Sequence, residues 1–89
     1  MSRLRALRVE VDRVDSAMLK LLAERLSLAE EIAKVKKAEG IPVVDEGREE
    51  ALLKRLKEEG VKLGLKPAEV ELFFRILILL SIRRQVSGR

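Results

Sequence analysis

The side chains able to do chemistry in this chain are Arg, Lys, Asp, Glu, Ser and Gln, because its 89 residues include neither His nor Cys. That removes thiol nucleophiles, disulfides, most zinc sites and the usual proton shuttle near neutral pH. What remains is the chemistry of fixed charge: gripping an anion and donating hydrogen bonds to it. Arg25 and Lys36 are spaced at close to three helical turns, so they project from nearly the same face of a helix, about 16 Å apart along its axis, and two long cationic side chains bending together can hold one small anion. Arg48 and Glu49 follow Asp45, and Ser81 and Gln85 stand at i and i+4 beside an apolar run. Each has a plainer reading. Asp45 is a good N-cap, Arg48 and Glu49 are ordinary first-turn residues, and Ser81 with Gln85 can mark a helix reaching its exposed end near Arg83 and Arg84.

These residues need elements to position them. Leu4, Leu7, Val11, Val14, Met18, Leu21, Leu28, Ile32 and Val35 recur in steps dominated by three and four, which predicts a first helix from about Arg3 to Glu39, stopped by Gly40 and the Ile41-Pro42 pair. Arg25 falls where this seam calls for an apolar residue. A desolvated guanidinium needs an anion, supplied either by a Glu such as Glu24, or Glu30 of a partner chain, or by a ligand. Asp45 opens a second helix running to about Leu63, with Gly60 and Gly64 expected at its frayed end. Pro67 starts a third, continuing to about Val86. Between Leu72 and Leu80 that helix is apolar nearly all round apart from Arg75, and it is expected to be the buried centre of the assembly.

Composition agrees with an all-α fold of three helices, long, short and medium: 47% of residues are apolar, 38% are charged and two are aromatic, both Phe. A chain of this size builds one core, so residues 1–89 are read as a single domain. The first helix would be about 55 Å long. The remaining residues cannot cover it, and its seam is expected to pack against a second copy in an intertwined homodimeric helical bundle. The net charge of +4 favours an anionic partner, whether nucleic acid or a small acid. The first residues, Met1-Ser2-Arg3-Leu4-Arg5, already carry charge and no apolar run, and the apolar stretch Ile76–Leu80 is far short of the roughly 20 residues a bilayer requires, so no membrane association and a cytoplasmic location are expected.

Taken in order, Leu7-Arg8, Asp15, Leu22-Ala23-Glu24-Arg25, Lys34-Val35-Lys36, Pro42-Val43, Asp45, Arg48-Glu49, Ser81 and Gln85 resemble the all-helical class of chorismate mutases across essentially the whole chain. The resemblance implies conversion of chorismate to prephenate in aromatic amino-acid biosynthesis, by a pericyclic rearrangement that needs no cofactor or metal. It implies an intertwined dimer with two equivalent pockets. Arg25, Lys36, Asp45, Arg48, Glu49, Ser81 and Gln85 would come from one chain and Arg8 from the other. Lys36, Gln85, Arg25 and Glu49 would be the catalytic group. Helix geometry is compatible, since Arg8 lies about 25 Å along the helix from Arg25. Lys66, where the family pattern has a capping Asp, and Gly47, which softens the start of the second helix, depart from that pattern at helix ends only.

Two other functions compete. A basic helical dimer binding nucleic acid would use the charge of +4 and the tail Arg83 to Arg89, but the chain has no Tyr or Trp for stacking and its Arg25 lies on the seam. Alternatively the fold is a regulatory mutase module fused to a 3-deoxy-7-phosphoheptulonate synthase or a prephenate-processing enzyme, and the Ser87-Gly88-Arg89 end fits a fragment cut at a linker.

Overall fold

The computed structural model describes residues 2–87, which form three α-helices: α1 (Arg3–Glu39), α2 (Glu46–Lys62) and α3 (Pro67–Ser87). The ends of α2 and α3 lie one residue from their expected positions, and local chemistry sets them. Ser2 Oγ accepts the Arg5 N–H at 3.1 Å to start α1. Gly40, at φ 68°, ends it by donating to the Lys36 and Lys37 carbonyls, a left-handed conformation that a side chain would strain. Asp45 Oδ1 caps α2 at the Arg48 N–H, 3.0 Å away. The missing acidic cap before α3 is replaced from within the helix: Glu69 Oε1 reaches back to the Lys66 N–H at 2.8 Å.

The three helices do not make a compact globule. The chain measures 56 × 25 × 15 Å with a radius of gyration of 16.3 Å, against about 12 Å for a compact domain of this length. Helix α3 packs on both α1 and α2, while α1 and α2 do not pack on each other. Contacts from Arg25 to Leu77 and from Glu30 to Arg84 make α1 and α3 parallel; Lys57 to Glu71 and Gly60 to Val70 make α2 antiparallel to α3. The core is small: Ala29 and Ala33 of α1, Leu53 of α2, and Val70 and Ile78 of α3. The two alanines let α3 approach α1 closely.

Burial departs from the expectation for α3. It is central, but Leu72, Phe73, Ile76 and Leu79 are exposed, because two neighbouring helices cover only part of its circumference. Leu4, Leu7, Val11, Val14, Met18 and Leu21 of α1 are likewise exposed. Exposed apolar side chains in such number are the kind of surface that a partner would cover.

Gly60 also differs. It is not a frayed end but a buried point of close approach, where an added Cβ would stand 2.5 Å from Val70 Cγ2. Val70 is buried and stiff at χ1, so it cannot step aside. Gly60→Ala gains about 1 kcal/mol in helix propensity and loses about 1–3 kcal/mol to overpacking. A lower thermal midpoint at fixed protein concentration is expected, partly restored by adding Val70→Ala.

Candidate functional site

One cavity of about 350 Å³ opens where the carboxyl-terminal halves of α1 and α3 meet the start of α2 and the segment before it. Arg25 and Lys36 reach it from α1, Asp45 from the α1–α2 connection, Arg48 and Glu49 from the first turn of α2, and Ser81 and Gln85 from α3. Seven of the eight candidate residues therefore meet at one place. Arg8 does not; it is exposed in the first turns of α1 and lines no part of this cavity.

The polar groups are held in defined orientations. Arg25 donates through one guanidinium nitrogen to Ser81 Oγ and to the Leu77 carbonyl, the latter at 3.3 Å. Neither acceptor is charged, so of the two alternatives for Arg25 no Glu among the described residues of its own chain supplies the anion; Glu30 is paired with Arg84 at 2.6 Å. Lys36 Nζ donates to the Val43 carbonyl at 2.8 Å and to Gln85 Oε1 at 3.3 Å. Lys36 thus ties α1 both to the strap leading into α2 and to the end of α3. Because the Gln85 oxygen faces this ammonium, its NH₂ remains available as a donor. Ser81 and Gln85 are buried, so they are not the solvated end of a helix.

The electrostatics are those of an anion site. Burial, and after it the positive charge of Arg48, push the Arg25 guanidinium below its ordinary pKa. Among the described residues, Arg25, Lys36 and Arg48 form no ion pair, while the carboxylate of Asp45 is engaged in capping α2. An incoming anion would relieve that unbalanced charge. Glu49 is half-buried, and its carboxylate, with no hydrogen bond or ion pair to a described residue, offers the cavity a further acceptor. Leu28, Ile32, Val43, Leu52, Ile78 and Ile82 form apolar walls. Val43, in the α1–α2 connection, belongs to the series that carries the family resemblance; no short motif marks the other five, and only their helical spacing from Arg25, Glu49 and Ser81 could have pointed to them.

A second, larger groove of about 530 Å³ lies between α2 and α3, lined by Leu53, Lys57, Pro67, Glu71 and Arg75 among others. Its middle is bridged by ion pairs: Lys57, at 2.6 Å, and Arg75, at 3.6 Å, both meet Glu71, whose carboxyl is held below the usual range chiefly by the Lys57 hydrogen bond and charge. Glu50, Lys54 and Glu58 also line it, so its remaining charge is of mixed sign and does not converge on one kind of ligand. Among the described residues no cluster is placed to hold a metal ion, and no helix is long and apolar enough to cross a membrane. In the basic tail, Arg84 is paired with Glu30, and Gly88 and Arg89 lie outside the described residues.

The chain is 39% identical over 80 residues to a bifunctional chorismate mutase/prephenate dehydratase of Enterobacter agglomerans, covering 90% of this chain and 21% of that protein. It is 39% identical over 56 residues to a chorismate mutase of Methanocaldococcus jannaschii, covering 63% of this chain and 57% of that one. A conserved hypothetical protein from Pyrococcus furiosus has the same fold, with a TM-score of 0.78 at 30% identity over 96% of this chain and 97% of its own. The curated relatives it matches are longer: the chain spans 57% of the archaeal mutase and 19% of a T-protein of Enterobacter agglomerans. The family model for chorismate mutase type II matches residues 7–86, from the residue before Arg8 to the one after Gln85, and the chain belongs to that family.

Proposed function

We propose that this protein is a chorismate mutase, an isomerase converting chorismate to prephenate. The observation that carries the reading is a cavity with three cations lacking carboxylate partners, Arg25, Lys36 and Arg48, in a chain without His or Cys. In the reaction an ether C–O bond breaks as a C–C bond forms within one molecule. No proton is transferred and no covalent intermediate is needed, so positioning and electrostatics suffice. Arg25, with Arg48 and the partner's Arg8, grips the two carboxylates through forked contacts, and Ser81 lies beside one of them. The apolar walls of Ile78, Ile82 and Leu52 hold the substrate in a compact chair. Lys36 and the Gln85 NH₂ donate to the ether oxygen as negative charge grows there, with Lys36 also near a carboxylate. Glu49 and the backbone near Asp45 take the ring hydroxyl.

The domain works as a homodimer in the cytoplasm. In support, the open seam of α1 continues well beyond the part that α3 covers, and Arg8 lies on that projecting half. An antiparallel second α1 would bury the seam and carry its Arg8 to this cavity. Sedimentation at micromolar concentration should show two chains; an active, folded monomer would exclude a shared pocket.

Incubating the purified chain with chorismate and following the loss of its absorbance tests the activity, and the absence of Trp and Tyr leaves that optical window clear. A chain that folds, dimerises and leaves chorismate unchanged refutes the reading. A module within a larger enzyme is the second reading, supported by the bifunctional relative of which this chain covers 21%. It differs in one outcome: the isolated chain would turn over slowly and be accelerated by the companion domain.

A further inference from the structure

The amide assigned to the breaking bond sits in an exposed kind of place. Gln85 belongs to the last turn of α3, which ends at Ser87, and a terminal turn lacks intrahelical partners for its carbonyls and frays. Yet Gln85 is only 7% exposed. Within the turn, Ser87 Oγ donates to the Arg83 carbonyl at 2.9 Å. Two polar links then join the turn to α1: Lys36 to Gln85 at 3.3 Å, and Arg84 to Glu30 at 2.6 Å. The first runs between the two groups assigned to the substrate, so it is shared with the reaction. The second engages neither reacting group.

We infer that the Glu30–Arg84 ion pair is a positioning clamp, holding the final turn of α3 against α1 so that the Gln85 amide stays aimed into the cavity while Lys36 serves the substrate. Arg84 and Gln85 are consecutive, about 100° apart around the helix, so anchoring one side chain fixes the direction of the other. Both partners are about half exposed, at 45% and 46%, so the pair adds little to the stability of the whole fold and acts on local order. The inference rests on the proposed role of Gln85; neither Glu30 nor Arg84 lines the cavity.

The test compares Glu30→Gln with wild type, and with Glu59→Gln, which removes the exposed Arg55–Glu59 pair on α2, as a control for charge loss. Glu30→Gln should lower kcat about three- to tenfold with KM changed less than about twofold, because an aimed donor is lost while the carboxylate grip is kept. Amide hydrogen exchange should quicken at residues 84–87 and nowhere else. The charge-swapped pair Glu30→Arg with Arg84→Glu should restore both, and added salt should lower kcat in wild type more than in Glu30→Gln. The clamp is overturned by unchanged exchange at 84–87, by faster exchange with unaltered kcat, or by a loss that the swap does not reverse. Inactive wild-type protein would instead strike the chorismate mutase reading, and exchange would still decide whether Glu30 holds the turn.

Discussion

Replacing Arg25 by Ala is expected to lower kcat/KM for chorismate by about 100- to 1000-fold, the loss of one charge-assisted anchor of roughly 3–4 kcal/mol at the transition state. Arg25 is a half-buried cation with neutral partners, Ser81 Oγ and the Leu77 carbonyl, so a substrate carboxylate would supply the counter-ion its position lacks. Arg25→Lys should recover only part of the loss, since an ammonium keeps the charge but not the planar fork. Arg8→Ala should be similarly damaged if Arg8 serves the neighbouring protomer's pocket. Mixing the two inactive variants then separates a shared pocket from a private one. In a heterodimer one pocket carries both lesions and the other neither, so each heterodimer regains about half of wild-type activity, and random exchange of equal amounts restores about a quarter overall. No recovery despite proven exchange would place both guanidiniums in pockets built from one chain.

The second large effect concerns pH. With no His in the chain, the wild-type rate is expected to be flat across neutrality. Gln85→Glu keeps side-chain length but exchanges the NH₂ donor for a carboxylate oxygen, which can serve an ether oxygen only when protonated. The variant should be about 100-fold or more slower at pH 7 to 8, the scale of one lost transition-state donor, and should recover as pH falls. Two opposing effects set where. Burial of this position disfavours the ionised carboxylate and raises its pKa, while Lys36 Nζ, 3.3 Å from Gln85 Oε1, favours it and lowers the pKa. The direction is the same wherever the midpoint falls: activity increases with acid in the variant and not in wild type. A variant as active as wild type at pH 8 would remove Gln85 from the breaking bond and with it α3 from the reaction.

Much of the fold was legible because it is written in local terms. The spacing of apolar residues along α1, Asp45 as the cap of α2, Pro67 at the head of α3 and Gly40 past the end of α1 are short-range signals, and the helices follow them. Gly60 departs from its local signal for the same reason. Glycine near a helix end usually marks a stop, and nothing nearby in the sequence reveals that Val70 will lie against it. The pairing of Glu30 was equally invisible. In the sequence it is a candidate anion for the Arg25 of a partner chain, yet its partner is Arg84, distant in sequence and adjacent only after α3 lies parallel to α1.

By itself the sequence determined the helices, the absence of acid–base side chains that titrate near neutrality, and the set of polar residues interrupting apolar faces, because these depend on residue type and on a period of about 3.6 residues. Only the tertiary structure decided which of those residues meet. Ser81 and Gln85 are polar groups beside an apolar run in the sequence; the approach of α3 to Ala29 and Ala33 buries them, delivers Ser81 to Arg25, and sets Lys36 between Val43 and Gln85. Contacts between helices depend on how each face is rotated and packed against another, and that information is spread over distant residues.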